Sequence, residues 1–95
     1  MSHSQSTTLH VQIHGKVQGV FFRDYTRRKA KELNIIGWVK NSPDGSVEAF
    51  ISGEDMQIKK MLEWFEQGSP YASVQKVSTR ASAEPPVTKS FLIKY

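Results

Sequence analysis

Residues 9–23, LHVQIHGKVQGVFFR, carry a strand, a glycine loop and the opening of a helix. Leu9, Val11 and Ile13 alternate with His10, Gln12 and His14, and that period of two predicts a strand with one buried face. Gly15 and Gly19 then bracket Lys16, Val17 and Gln18. Glycines let successive backbone N–H groups turn toward one point, and a helix N-terminus adds positive potential there. Phe22, Thr26, Lys29, Ala30 and Leu33 trace a helical face after the loop, which puts Arg23 in the first turn. An arginine there offers a planar fork of donors that matches phosphate oxygens. The segment outlines an anion site built from the amides of Gly15, Lys16, Val17, Gln18, Gly19 and Val20 and the Arg23 side chain.

Outward from this stretch, residues 35–41 read as a second strand that ends in Asn41. The following SPDGS is turn chemistry, because Pro43 presets its φ and Asp44-Gly45 tolerates a tight reversal. Val47, Ala49 and Ile51 alternate in a third strand, so a hairpin joins the second and third. Ser52-Gly53-Glu54-Asp55 is a helix entry with carboxylates at its positive end. Ile58, Met61, Leu62 and Phe65 fall at i, i+3, i+4 and i+7, and Gly68 and Pro70 stop the helix. Residues 74–80 make a fourth strand and 91–94 a short fifth, with Glu84-Pro85-Pro86 in an irregular loop between them. The order βαββαβ predicts an α+β, ferredoxin-like sandwich: an antiparallel sheet with two helices on one face and a short extra strand.

Ninety-five residues fit one small domain, expected over residues 8–95 behind a flexible polar tail at 1–7. With no cysteine, neither a disulfide nor a thiolate metal site can staple it, and one core drawn from the 38% hydrophobic residues must suffice. Neither a signal-peptide run at the start nor a stretch of ~20 apolar residues is present, so a soluble, cytoplasmic chain is expected. An excess of 13 Lys+Arg over 9 Asp+Glu gives a net charge of +4, which favours anionic partners.

No nucleophile stands beside the loop: there is no cysteine, and the first serine after it is Ser42. Water is then the expected nucleophile. Asn41 cannot act as a base near neutral pH, but its amide can hold and orient a water molecule. A site so poor in acids and bases suits a substrate with a good leaving group. A mixed carboxylic–phosphoric anhydride is one, because its carboxylate departs without being protonated, and a loose phosphoryl-transfer transition state asks mainly for positioning.

GKVQGVFFR at residues 15–23 and GWVKNSPDGSVEAFISG at residues 37–53 resemble the two signature segments of acylphosphatases. The likeness extends over residues 8–95. It implies hydrolysis of small acyl phosphates to a carboxylate and inorganic phosphate, with no metal and no cofactor. It also implies that Arg23 binds the phosphate, that Asn41 positions the attacking water, and that a substrate phosphate oxygen accepts the water proton. Inorganic phosphate would be both product and competitive inhibitor. No nucleic acid, membrane or second subunit would be required, and a single phosphate clamp implies weak discrimination among acyl groups.

Plainer readings attach to the other conspicuous residues. Ser42 reads as a turn serine, and Lys16 and Lys40 as solvated charges that raise the local potential. Phe22, Trp38 and Phe50 read as packing residues, and Trp64 as a partly covered surface aromatic. His3, His10 and His14 lack the helical spacing of metal ligands, so no metal site is expected. The competing function is a nucleic-acid or anion-binding ferredoxin-like module without catalysis. Against the former, the central strands lack the aromatic-rich signature of RNA-binding sheets, since GSVEAFISG holds one aromatic and an acid.

Overall fold

The computed structural model describes residues 5–95. Seven elements follow one another: β1 (Ser6–Lys16), α1 (Phe22–Glu32), β2 (Ile36–Asn41), β3 (Val47–Glu54), α2 (Asp55–Gln67), β4 (Ser73–Ala81) and β5 (Phe91–Ile93). They reproduce the expected βαββαβ order, and the architecture is ferredoxin-like. β1 starts at Ser6, so Ser6 and Thr7, read as tail from their polarity, are strand residues in register with Glu54 and Gly53. Ladder hydrogen bonds satisfy the backbone whatever the polarity of the side chains, and that signal is invisible to composition. The rest of the expected tail, residues 1–4 with His3, lies outside the described residues.

The sheet order is β4-β1-β3-β2-β5. Four strands are antiparallel to their neighbours, as expected, whereas β5 joins the edge beside β2 in parallel, pairing Phe91, Leu92 and Ile93 with Gly37, Trp38 and Val39. The sheet is therefore mixed.

Alternation along the strands decides the layers. Val11 and Ile13 of β1, Val39 of β2, and Val47, Ala49 and Ile51 of β3 are fully buried on one face. α1 packs there against β2 and β5, and α2 against β4, β3 and β1. Their stripes supply Phe22, Ala30, Ile58, Met61 and Phe65 to the same core. Each large side chain buried this way contributes about 1.5–3 kcal/mol of transfer free energy. The Phe22 and Phe65 rings stack with centroids 6.2 Å apart, and Trp64, half-buried, reaches Phe22 at 5.4 Å.

Trp38 and Phe50 have the opposite parity and pack on each other across the other sheet face, 5.9 Å apart. Because β4 and β5 occupy opposite edges, residues 82–90 must cross the sheet. Ser82, Pro85, Pro86 and Val87 share a hollow with both aromatics, so this crossing explains their partial cover.

Candidate active site

The strand parity that buries Val39 also decides where Asn41 goes. Gly37, Val39 and Asn41 share the face covered by the helices, so β2 delivers Asn41 to the end of the sheet where α1 begins. There Asn41, Arg23 and the loop residues Val17 and Gly19 line one cleft of about 350 Å³, together with Phe21, Phe22, Asp24, Ile93 and Tyr95.

Three anchors shape the loop between β1 and α1. At its start, Gly15 sits in a β-bulge with φ +130°, where a Cβ would lie 2.2 Å from the Ser73 carbonyl oxygen of β4. No other residue fits there. Next, Val17 and Val20 sink into the core, and the Ser69 hydroxyl donates to the Val20 carbonyl at 2.8 Å. Finally, the Gln18 amide donates to the carbonyls of Ser42 and Ser46, at 2.8 Å each. Gln18 thus ties the loop to the hairpin that follows Asn41. Gly19 meets nothing within 4 Å of where its Cβ would be, and its φ of +72° favours glycine.

The hairpin is held in turn by a chain of hydrogen bonds. Gln12 Nε2 donates to Ser46 Oγ at 2.6 Å and to Ser42 Oγ at 3.3 Å, and the Ser46 hydroxyl donates to Asp44 at 2.6 Å. That hydroxyl, followed by the Ser46 amide, holds the Asp44 carboxyl below its usual range. Ser42 is therefore a braced turn serine. Neither partner of its hydroxyl or carbonyl is Asn41 itself.

Arg23 is oriented from the two residues that follow β5. Its Nη1 donates to the Lys94 carbonyl at 3.2 Å, and its guanidinium lies 4.9 Å from the centre of the Tyr95 ring. Asp24, the carboxylate at the cleft, is bridged by Arg28 at 3.1 Å. No side chain caps α1, so its N-terminal turn opens toward the cleft with the partial positive charge of the helix end.

The structure thus brings Arg23, Asn41, Val17 and Gly19 together. Gly15 and Lys16 are the last residues of β1, in register with Val74 and Ser73, and they do not line the cleft. Gln18 and Val20 flank it, one through its side-chain brace and the other through its core anchor. His10 pairs with Glu48 on the sheet face away from the helices. Among the described residues no group of three or more His, Asp or Glu is arranged to hold a metal ion. Ile93 and Tyr95 were not legible as cleft residues because their placement depends on the parallel docking of β5 beside β2, and Phe21 and Asp24 because theirs depends on the left-handed turn into α1.

The acylphosphatase family model matches residues 9–93. The acylphosphatase of Thiobacillus denitrificans is 50% identical over 70 residues, which cover 74% of this chain and 79% of that one. That of Bordetella parapertussis is 43% identical over 91 residues, covering 96% and 97%. The solved acylphosphatase of Coxiella burnetii superposes with a TM-score of 0.90 at 38% identity, covering 99% of this chain and all of the other. With a family model spanning nearly the whole domain and relatives this similar along its length, the chain belongs to the acylphosphatase family.

Proposed function

We propose that the cleft hydrolyses acyl phosphates, R–CO–O–PO₃²⁻, to a carboxylate and inorganic phosphate without a metal or cofactor. The observation that carries this reading is the meeting of Arg23 and Asn41, far apart in the chain, in one cleft at an uncapped helix start. The guanidinium and the loop amides, those of Val17 and Gly19 nearest, bind the phosphoryl group, with Gly15, Lys16, Gln18 and Val20 setting the loop. Such donors, fixed before substrate arrives, stabilise the charge that develops on the equatorial oxygens.

Asn41 accepts a hydrogen bond from water through its carboxamide oxygen and aims it at phosphorus. The new P–O bond forms as the bond to the acyl oxygen breaks, and the electron pair leaves on the carboxylate. A proton of the water passes to a phosphoryl oxygen, so the products are RCOO⁻ and H₂PO₄⁻ and no protein base is consumed. The arrangement fits this division of labour, because the cleft carboxylate, Asp24, is engaged by Arg28. A monomer acting on a small cytoplasmic metabolite, with no nucleic acid or membrane, completes the reading.

The test is turnover of an aromatic acyl phosphate, followed by loss of absorbance, in the presence and absence of a chelator. Rapid hydrolysis that chelator leaves intact and inorganic phosphate inhibits competitively is expected. In Asn41→Ala, kcat should fall about 10²–10³-fold, as on removal of one transition-state hydrogen bond, while phosphate inhibition persists. Wild-type turnover by Asn41→Ala would overturn its role.

A further inference from the structure

Phe21 is placed against its own preferences. It has a left-handed backbone with φ 60°, a region that bulky side chains rarely occupy, and its ring is 67% exposed. Its neighbour Phe22, at 1% exposure, takes the place in the core. The fold therefore gains nothing visible from an aromatic ring at position 21, where glycine or asparagine would adopt the same backbone at less cost. Phe21 instead lines the cleft.

It has company there. Tyr95 is fully exposed and lies against the Arg23 guanidinium, and Ile93, packed on the core edge, lines the same cleft. Once Arg23, the loop amides and Asn41 are assigned to phosphate and water, what remains of the lining is these three apolar side chains, the edge of Phe22, and Asp24. The leaving acyl group has to lie among them. Aromatic rings reward flat or bulky apolar groups through dispersion and removal of surface from water. The same apolar lining offers no partner to an acyl chain that carries a negative charge of its own.

We propose that Phe21, with Ile93 and Tyr95, forms an acyl-group subsite that selects uncharged aromatic or branched apolar acyl phosphates over short or anionic ones. The proposal rests on the hydrolytic reading above and replaces the weak discrimination expected from a lone phosphate clamp with a defined preference.

The test compares kcat/KM for benzoyl, acetyl and succinyl phosphate in wild type, Phe21→Ala and Phe21→Tyr. Wild type should favour benzoyl over acetyl phosphate at least about tenfold, and disfavour succinyl phosphate most. Phe21→Ala should lower the benzoyl-to-acetyl ratio about tenfold, chiefly by raising KM for benzoyl phosphate. Phe21→Tyr keeps the ring and should keep the ratio. The inhibition constant for inorganic phosphate, read in the same assays, reports whether the loop is intact and should move less than about twofold. Phe21→Gly relieves the left-handed strain, so a ratio that falls there too cannot be blamed on misfolding. A wild-type ratio near one, an unchanged ratio in Phe21→Ala, or an equal loss on all substrates with weakened phosphate inhibition would each overturn the subsite and leave the hydrolytic reading standing. Absence of turnover on every acyl phosphate would overturn both.

Discussion

The two helices are entered in different ways. Between β1 and α1 the chain inserts residues 17–21, with left-handed backbone at Gly19 and Phe21, and no side chain caps the helix. Between β3 and α2 it inserts nothing: Glu54 ends the strand and Asp55 begins the helix. There the Asp55 amide donates to the Gln5 carbonyl at 3.0 Å, and the Thr7 hydroxyl donates to the Asp55 carboxylate. The neighbouring chain segment thus takes up the first amide of the second helix. Both helix starts lack a side-chain cap and carry a carboxylate in the first turn, Asp24 and Asp55, but it is the first that lines the cleft, through Phe22, Arg23 and Asp24. The loop creates that difference, and the structure maintains it with anchors at Ser69, Ser73, Ser42 and Ser46.

The comparison breaks most directly at Arg23. In Arg23→Gln, kcat/KM for an acyl phosphate should fall about 10²–10³-fold, and inorganic phosphate should lose most of its inhibitory effect. Retention of both would mean that the first helix start is not the anion site.

A pair of glycines sharpens it next. Gly15→Ala drives a Cβ to within 2.2 Å of the Ser73 carbonyl oxygen at a φ of +130°. It should cost about 3 kcal/mol or more in denaturant unfolding, since neither backbone can yield cheaply. Gly19→Ala meets no atom and should cost only about 1 kcal/mol for its left-handed backbone. Its effect should appear in turnover instead, because Gly19 lines the cleft. Equal stability losses would show that the loop is not divided into an anchored end and an open end.

At the second helix start, Asp55→Ala should destabilise the fold by about 0.5–1 kcal/mol through the lost charge at the helix end. Turnover should stay within twofold of wild type. A drop in activity comparable to that of Arg23→Gln would make the two junctions functionally alike.

The smallest effect concerns the hairpin that carries Asn41. The bonds from Ser46 depress the Asp44 pKa in the folded state. Their contribution is therefore complete above the unfolded value of about 3.9 and is lost as pH falls through the lower folded value. Between pH 5 and 2, wild type should lose slightly more stability than Asp44→Asn, and the two acid-unfolding curves should run parallel above pH 5. A larger pH dependence in the variant would reverse the assignment.

The order of elements, both glycine turns and the buried faces of β1 and β3 could be read from residue spacing. Period-two and period-3.6 patterns are consequences of local backbone geometry, and local geometry is written in neighbouring residues. The motifs that hold Arg23 and Asn41 were legible for the same reason. The face of Asn41 was set only with β2 in place, where it shares parity with the buried Val39. What no spacing contained was the parallel docking of Phe91–Ile93 beside β2, which brings Ile93, the Lys94 carbonyl and Tyr95 to the cleft. Nor did it contain the reach of Gln18 to Ser42 and Ser46, or the outward turn of Phe21. Those depend on which strands become neighbours, a choice made by packing the whole core at once. The chain alone thus supplied the candidate groups, Arg23 and Asn41, and only its folding decided what surrounds them.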